Sequence, residues 1–186
     1  MRSGGRWLWA IVMVWACACN AVAEPARPEP RPLVPEAAVA VEPPGRGPVT
    51  NLPLPRYVSL KAPEGNVRRG PSLQHRIDWV YKRRSMPLEI TAEFGHWRRV
   101  RDRDGAGGWI HYSLLSGVRT VLVETDMVAL RHRPRPGARV LARAEAGVVA
   151  RLGRCLTDWC QIATAGERGW VPKAALWGVR ADEVRD

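Results

Sequence analysis

The chain has 186 residues, room for one ordinary domain or two very small ones. Nine Trp stand against three Tyr and one Phe, and the formal net charge is +11, with only Lys61, Lys82 and Lys173 as lysines among 29 basic residues. That balance favours anionic surfaces and polymers at low salt, although an arginine bias of this kind also follows from a GC-rich coding sequence.

Residues Arg2 to Arg6 form a short cationic region, and the apolar run from Trp7 to Ala18 follows it. "NAVAEP" then offers a small-x-small cleavage site after Ala23. This is the anatomy of a secretory signal peptide over residues 1–23, and the run is too short to span a bilayer. Processing as a lipoprotein would use Cys17, but the bulky Trp15 two residues earlier fits that recognition sequence poorly. The expected location is the periplasm or cell envelope, with no transmembrane span in the mature chain. Cys155 and Cys160 are then the remaining thiols, and in an oxidising compartment a disulfide between them persists. Two cysteines without a His or Cys partner nearby do not make a zinc site. Their C-x4-C spacing also differs from the C-x-x-C of redox motifs.

Residues 24–55 hold ten prolines in 32 positions and no aromatics. Such a segment buries too little apolar surface to offset its chain entropy, so it reads as a disordered spacer. The other reading is a proline-rich peptide offered to a partner. From Tyr57 the pattern changes to short β-rich runs such as "YVSLK", "DWVYK", "PLEITAEF", "WRRVRD" and "VRTVLVE", punctuated by Pro, Gly and Asp. Only "YSLLS" (112–116) and "PKAALWG" (172–178) look like single helical turns. Short strands at this spacing predict a small barrel.

The chain then repeats itself. "NVRRGPS" (66–72) matches "ALRHRPR" (129–135), "WRRV" (97–100) matches "WCQI" (159–162), and "GWIHYSLLSGV" (108–118) matches "GWVPKAALWGV" (169–179), with the offset drifting from 63 to 61. The predicted units are residues 56–119 and 120–180, followed by a tail, 181–186. Each is near the lower limit for a self-sufficient core, which gives the second unit a use for its disulfide. The apolar connection "SGVRTVLVETD" (116–126) is short, so the two units are expected to pack together.

These motifs and their second copies resemble tandem bacterial SH3-like (SH3b) domains, as found in exported proteins with two such repeats. The resemblance implies an all-β fold: two small SH3-like barrels of five or six strands, each ending in a short 3₁₀ turn, after the proline-rich segment. It also implies attachment to cell-wall peptidoglycan or the anchoring of a wall hydrolase. The eukaryotic SH3 groove reads basic PxxP peptides with acidic residues and several tyrosines, a pattern absent here.

Strand parity bears on the ligand. Trp97 shares a face with Arg99 and Arg101, and Trp159 shares one with Gln161. If Val100 and Ile162 are core, both tryptophans aim outward, unless a bulge shifts the register. Trp109 and Trp170 are assigned to core packing, since a small barrel has few large residues to fill it. Residues 56–119 carry 13 basic and 6 acidic groups, or +7, and residues 120–186 carry 11 and 8, or +3. A solvated basic face is the plain reading. The functional one is a groove in the first unit holding Arg68, Arg69, Arg83, Arg84, Arg98 and Arg99 near Trp79, Tyr81 and Trp97, with Trp159 as the counterpart in the second. Indoles stack on sugar faces, and guanidinium groups meet carboxylates bidentately. Alignment also sets Cys155 and Cys160 against Glu93 and Arg98, so sulfur in one unit replaces an ion pair in the other.

The expected role is a non-catalytic envelope-binding module for peptidoglycan, glycan or stem peptide; the alternative is a periplasmic scaffold that docks a protein partner. No cofactor, metal or nucleic acid is expected. His75, His96, His111 and His132 are scattered, both mature thiols are committed to each other, and no nucleophile-elbow or phosphate-loop motif is present.

Overall fold

In the computed structural model, which describes residues 45–164 and 166–186, one succession of elements occurs twice. The first is β1 (Arg56–Leu60), β2 (Gly65–Arg68), β3 (Ile77–Tyr81), β4 (Pro87–Phe94), β5 (Trp97–Arg101), β6 (Gly107–His111), a 3₁₀ turn (Tyr112–Leu114) and β7 (Leu115–Ser116). The second is β8 (Thr120–Val123), β9 (Val128–Arg131), β10 (Val140–Ala144), β11 (Val149–Cys155), β12 (Trp159–Thr164), β13 (Glu167–Pro172), a 3₁₀ turn (Lys173–Ala175) and β14 (Leu176–Trp177). The sheet orders are β3-β2-β6-β5-β4-β1-β7 and β10-β9-β13-β12-β11-β8-β14, so each strand has its counterpart in the same place. The expected signal peptide, the Cys17 alternative and spacer residues 24–44 lie outside the described residues.

Both cores are aliphatic. The first closes over Leu60, Val67, Leu88, Ile90, Val100 and Ile110, with Tyr81 at its edge. The second closes over Val121, Val123, Leu130, Leu152, Ile162 and Val171, with the two half-cystines. These residues alternate with outward ones along β2, β5 and β12, as a half-buried strand requires. Each fully buried Leu, Ile or Val contributes about 1.5–3 kcal/mol, the main favourable term in so small a unit. Neither core holds a tryptophan, which corrects the assignment of Trp109 and Trp170 to core packing: Ile110 and Val171 take those places and the indoles stay partly buried on the other face. An aliphatic side chain fits the narrow interior of a barrel this size, whereas an indole is too large for most positions there.

Two segments outside the strands complete the barrels. Gly45–Pro55, expected to belong to the spacer, instead folds back as a hook. Gly47 N–H donates to Leu52 O at 2.8 Å, and Val49 and Thr50 N–H donate to the Glu93 carboxylate at 3.1 and 2.9 Å. Proline content marked this stretch as spacer, but a buried carboxylate needing donors captured it. At the other end the tail pairs with β11, Arg185 N–H donating to Cys155 O at 2.9 Å and Cys155 N–H to Arg185 O at 2.7 Å. Arg119 holds Glu183 at 2.8 Å, and Lys173 Nζ, itself buried, donates to Ala181 O and Glu183 O.

The barrels pack together, as the short connection predicts. Thr120 Oγ1 donates to Ser85 O at 2.7 Å and Arg83 donates to Gly147 O at 2.9 Å. Arg103 meets Glu124 at 3.0 Å, and the Tyr57 ring meets Trp177 edge-on at 5.3 Å. Gly178 sits in this junction at φ +106, and a Cβ there would stand 2.9 Å from Thr120 O.

Candidate functional site

The aim of the first tryptophan in each barrel follows from β5 and β12. Along β5 the inward positions are Arg98 and Val100, and Trp97, Arg99 and Arg101 share the outward face. Along β12 Cys160 and Ile162 are inward, while Trp159 and Gln161 are outward. Register shifts occur between Ile90 and Ala92 and between Leu152 and Cys155. They fall on β4 and β11, leaving the alternation of β5 and β12 intact.

Around Trp97 the structure gathers aromatic residues from three elements. Phe94 pairs with Trp97 across the two-residue turn Gly95–His96, and His111 pairs with it from β6. The Trp97 and His111 rings meet edge-on at 5.5 Å, and His96 and His111 lie 5.6 and 4.9 Å from the Tyr112 ring. The Arg98 guanidinium sits 5.9 Å from the Tyr112 centroid. Trp97 is partly buried; Phe94 at 62% and Tyr112 at 49% exposure present the open aromatic area. One end of the first barrel is thus a ring-lined platform with a cation beneath it, suited to the apolar face of a sugar or a peptide.

The second barrel has a plainer counterpart. Trp159 borders an open depression of about 470 Å³ lined also by Asp158, Pro172, Leu176 and Val179. Pro172 and Lys173 stand where the first barrel has His111 and Tyr112, so the ring cluster is not duplicated.

The remaining candidates separate. Arg68 points its guanidinium at Leu73 O and His75 O, at 2.9 and 2.7 Å, and its counterpart Arg131 donates to Ala138 O at 2.8 Å. The recurring arginine therefore pins the loop after β2, or after β9, and is spent there. Arg69 and Arg76 both clamp Asp78, at 3.0 and 2.8 Å, and their hydrogen bonds hold that carboxyl below its usual range. Tyr81 is 3% exposed and donates to Ala106 O at 2.7 Å; burial pushes its phenol up, with Asp102 adding to the effect. A core phenol cannot touch a surface ligand, so Tyr81 leaves the candidate site. Arg98 is also buried, and Arg83 is engaged at the barrel junction. Trp79 is 50% exposed on β3, but β2 and β6 separate it from Trp97 on β5, about 14 Å across three strand spacings. The single groove expected from sequence is therefore not assembled. What stands together is Trp97 with Arg99 beside it on the outward face, plus four residues that sequence reasoning did not select: Phe94, His96, His111 and Tyr112. The signal for them was Phe94, the lone Phe, set three residues before Trp97 in "FGHW".

The equivalence of Glu93–Arg98 and Cys155–Cys160 is direct. Each pair is matched across its hairpin, one with Nε 3.5 Å from Oε1 and the other joined by a disulfide. Glu93 is also met by Arg56 at 2.5 Å and by the Thr50 hydroxyl at 2.6 Å. Burial works to raise its carboxyl, but Thr50, Arg56 and the Val49 and Thr50 N–H groups together hold it down at about 2. Among the described residues no cluster of three or more His, Cys, Asp or Glu could hold a metal ion, and no helix is long and apolar enough to cross a membrane.

Comparison with known proteins agrees with the duplication. The family model described as bacterial SH3 domain matches twice, over residues 61–117 and 124–178. Among curated proteins none matches the chain. Two solved structures similar to it are those of NlpC2 and NlpC1 from Trichomonas vaginalis, at 15% and 14% identity and a TM-score of 0.32 for each. Each likeness covers 66% of this chain, which spans less than half of either, 48% and 45%.

Proposed function

The chain belongs to the bacterial SH3 domain family, carrying that domain in tandem, and from this premise we propose that it is a non-catalytic binding module of the cell envelope that takes up peptidoglycan. The observation that carries the reading is the outward indole at the start of β5 and of β12, kept out of both cores and, in the first barrel, ringed by Phe94, His111 and Tyr112. An indole held at a strand end on an aliphatic barrel is a preorganised face for a sugar ring, and Arg99 beside it is placed to meet a stem-peptide carboxylate. The cationic and apolar run of residues 1–23 supports export to the compartment where that polymer lies. A non-catalytic role is supported by the commitment of Cys155 and Cys160 to one disulfide, which leaves neither as a nucleophile.

Sedimentation of the full chain with purified wall sacculi tests this. Retention should weaken with added salt, fall at least fivefold in Trp97→Ala, and fall further when Trp159→Ala is added. Absence of retention at low salt would sink the peptidoglycan reading. It would favour the second one, a scaffold that docks a protein, for which β3 supplies the specific observation. That strand is the edge of its sheet and exposes Ile77, Trp79 and Val80, and an exposed edge accepts an added strand.

A further inference from the structure

On the outward face of the second barrel, farther along β12 from Trp159, lies a different surface. A hollow of about 410 Å³ is lined by Arg151, Arg154, Arg168 and Arg185, with Gln161 and Ala163 between them. The register explains the convergence. Arg151 on β11 pairs with Ala163 on β12, which pairs in turn with Arg168 on β13. Two arginines thus flank one small residue, their backbones about 10 Å apart across two strand spacings. The register shift between Leu152 and Cys155 places Arg154 on the same side, and the backbone clasp of Arg185 to Cys155 brings in the fourth. The one acid at the hollow is Asp186, 4.0 Å from Arg154, with both side chains exposed. Among the described residues Arg151, Arg168 and Arg185 have no acidic partner.

The first barrel shows what this row looks like when it neutralises itself. There Glu89 occupies the position of Arg151, Arg101 that of Ala163, and Gly107 that of Arg168; Glu89 and Arg101 form an ion pair. Ala92 stands where the second barrel has Arg154. In the second barrel the acid has become an arginine and the paired arginine has become an alanine, which opens space between cations that nothing in the fold satisfies. Like charges facing one another across a sheet are unfavourable unless an anion lies between them.

We propose that this hollow is a binding site for a phosphate group, as a phosphomonoester or phosphodiester. It is independent of the aromatic platform on the first barrel. Phosphate suits it better than a carboxylate. A single carboxylate is met in full by one bidentate guanidinium in its plane, whereas a phosphate group spreads its oxygens tetrahedrally and, as a monoester, carries a second charge, so it presents acceptors to several guanidinium groups at once.

The test is a titration of the full chain with inorganic phosphate at ionic strength held constant with chloride, followed through the arginine Nε–Hε resonances. The expected result is saturable shifts at Arg151, Arg154, Arg168 and Arg185, with Arg101 unmoved as an internal reference. The double variant Arg151→Glu, Ala163→Arg, which transplants the row of the first barrel, should weaken phosphate at least tenfold while leaving wall retention unchanged; Arg168→Gln provides the same readout should that variant fail to fold. Shifts that chloride reproduces, or affinity unchanged in both variants, would overturn the site. Acetate competing as well as phosphate at equal concentration would overturn the phosphate assignment. Co-sedimentation with phosphatidylglycerol vesicles, lost in the same variants, would support the site with a lipid headgroup as its source. Binding of soluble phosphate without vesicle binding would support it with a phosphate carried on a soluble or polymeric ligand. A failure of wall retention with phosphate binding intact would strike the peptidoglycan reading alone.

Discussion

The two barrels share a strand order, a register and an aliphatic interior, yet they close the same hairpin by different chemistry. In the first, Glu93 and Arg98 face each other across β4 and β5, and the carboxylate also gathers Arg56, Thr50 and two N–H groups of the 45–55 hook. In the second, Cys155 and Cys160 take those positions as a disulfide, and the tail pairs with Cys155 through its backbone. A unit of about sixty residues has little core to spare, so the inward-facing pair at a hairpin end must be closed off from water. A charged pair needs several donors to do that and recruits the preceding segment to supply them. A disulfide has no such need, and the adjacent face of the second barrel, with Arg185 brought in by the tail, gathers four arginines where the first barrel has the Glu89–Arg101 ion pair.

The sharpest break of the comparison is at Glu93. Glu93→Gln should destabilise the first barrel by about 3 kcal/mol, because the buried Arg98 and the partly buried Arg56 would be left without a counter-charge. Thermal unfolding would measure the loss, and limited proteolysis should show early cleavage within 45–55. A neutral result would show that the hook and not the charge closes this hairpin. The acid limb follows from the depressed carboxyl. Stability from Glu93 is fully present above about pH 4.5, the ordinary value, and is lost as pH falls toward about 2, the folded value. Glu93→Gln should flatten that limb.

Removing the sulfur is expected to cost less. Cys155→Ser with Cys160→Ser should destabilise the second barrel by about 2 kcal/mol, since the bridge closes only a short loop. The same pair changed to Glu and Arg should stay at least as unstable as the serine variant, for no hook supplies the N–H donors that Glu93 enjoys. Recovery to the stability of the wild type would break the view that an ion pair at this site depends on its donors. Guanidinium unfolding under oxidising conditions distinguishes the two.

The smallest contrast concerns two glycines at equivalent places. Gly178→Ala should cost about 1–2 kcal/mol, because its φ of +106 and the nearby Thr120 carbonyl leave no room for a Cβ. Gly117 has open space around it, so Gly117→Ala should stay within about 0.5 kcal/mol of the wild type. Equal melting shifts for the two would deny that the barrel junction, and not the repeat itself, imposes the glycine.

Much of this molecule was legible from its residues alone. The alternation of Val67, Val100, Ile110 and their partners Leu130, Ile162 and Val171 declares the strands, because period two and burial of one face are local properties of a chain. The duplication declares the architecture, and even the exchange of Glu93–Arg98 for Cys155–Cys160 is visible in the alignment of the units. The outward aim of Trp97 and Trp159 also follows from parity once Val100 and Ile162 are inside. Tertiary structure decided what parity and composition do not carry. It sent Tyr81 inward and kept Trp109 and Trp170 out of the core, since which large residue fills a barrel depends on the space left by all the others. It spent Arg68 and Arg69 on their own loop, where nearby carbonyls and Asp78 outcompete solvent. It drew a proline-rich stretch onto a carboxylate, and it set Arg151, Arg154, Arg168 and Arg185 around one hollow from two strands and the tail. Charge counted along a chain assigns each arginine a sign; only the pairing of distant strands says whether that sign is already answered.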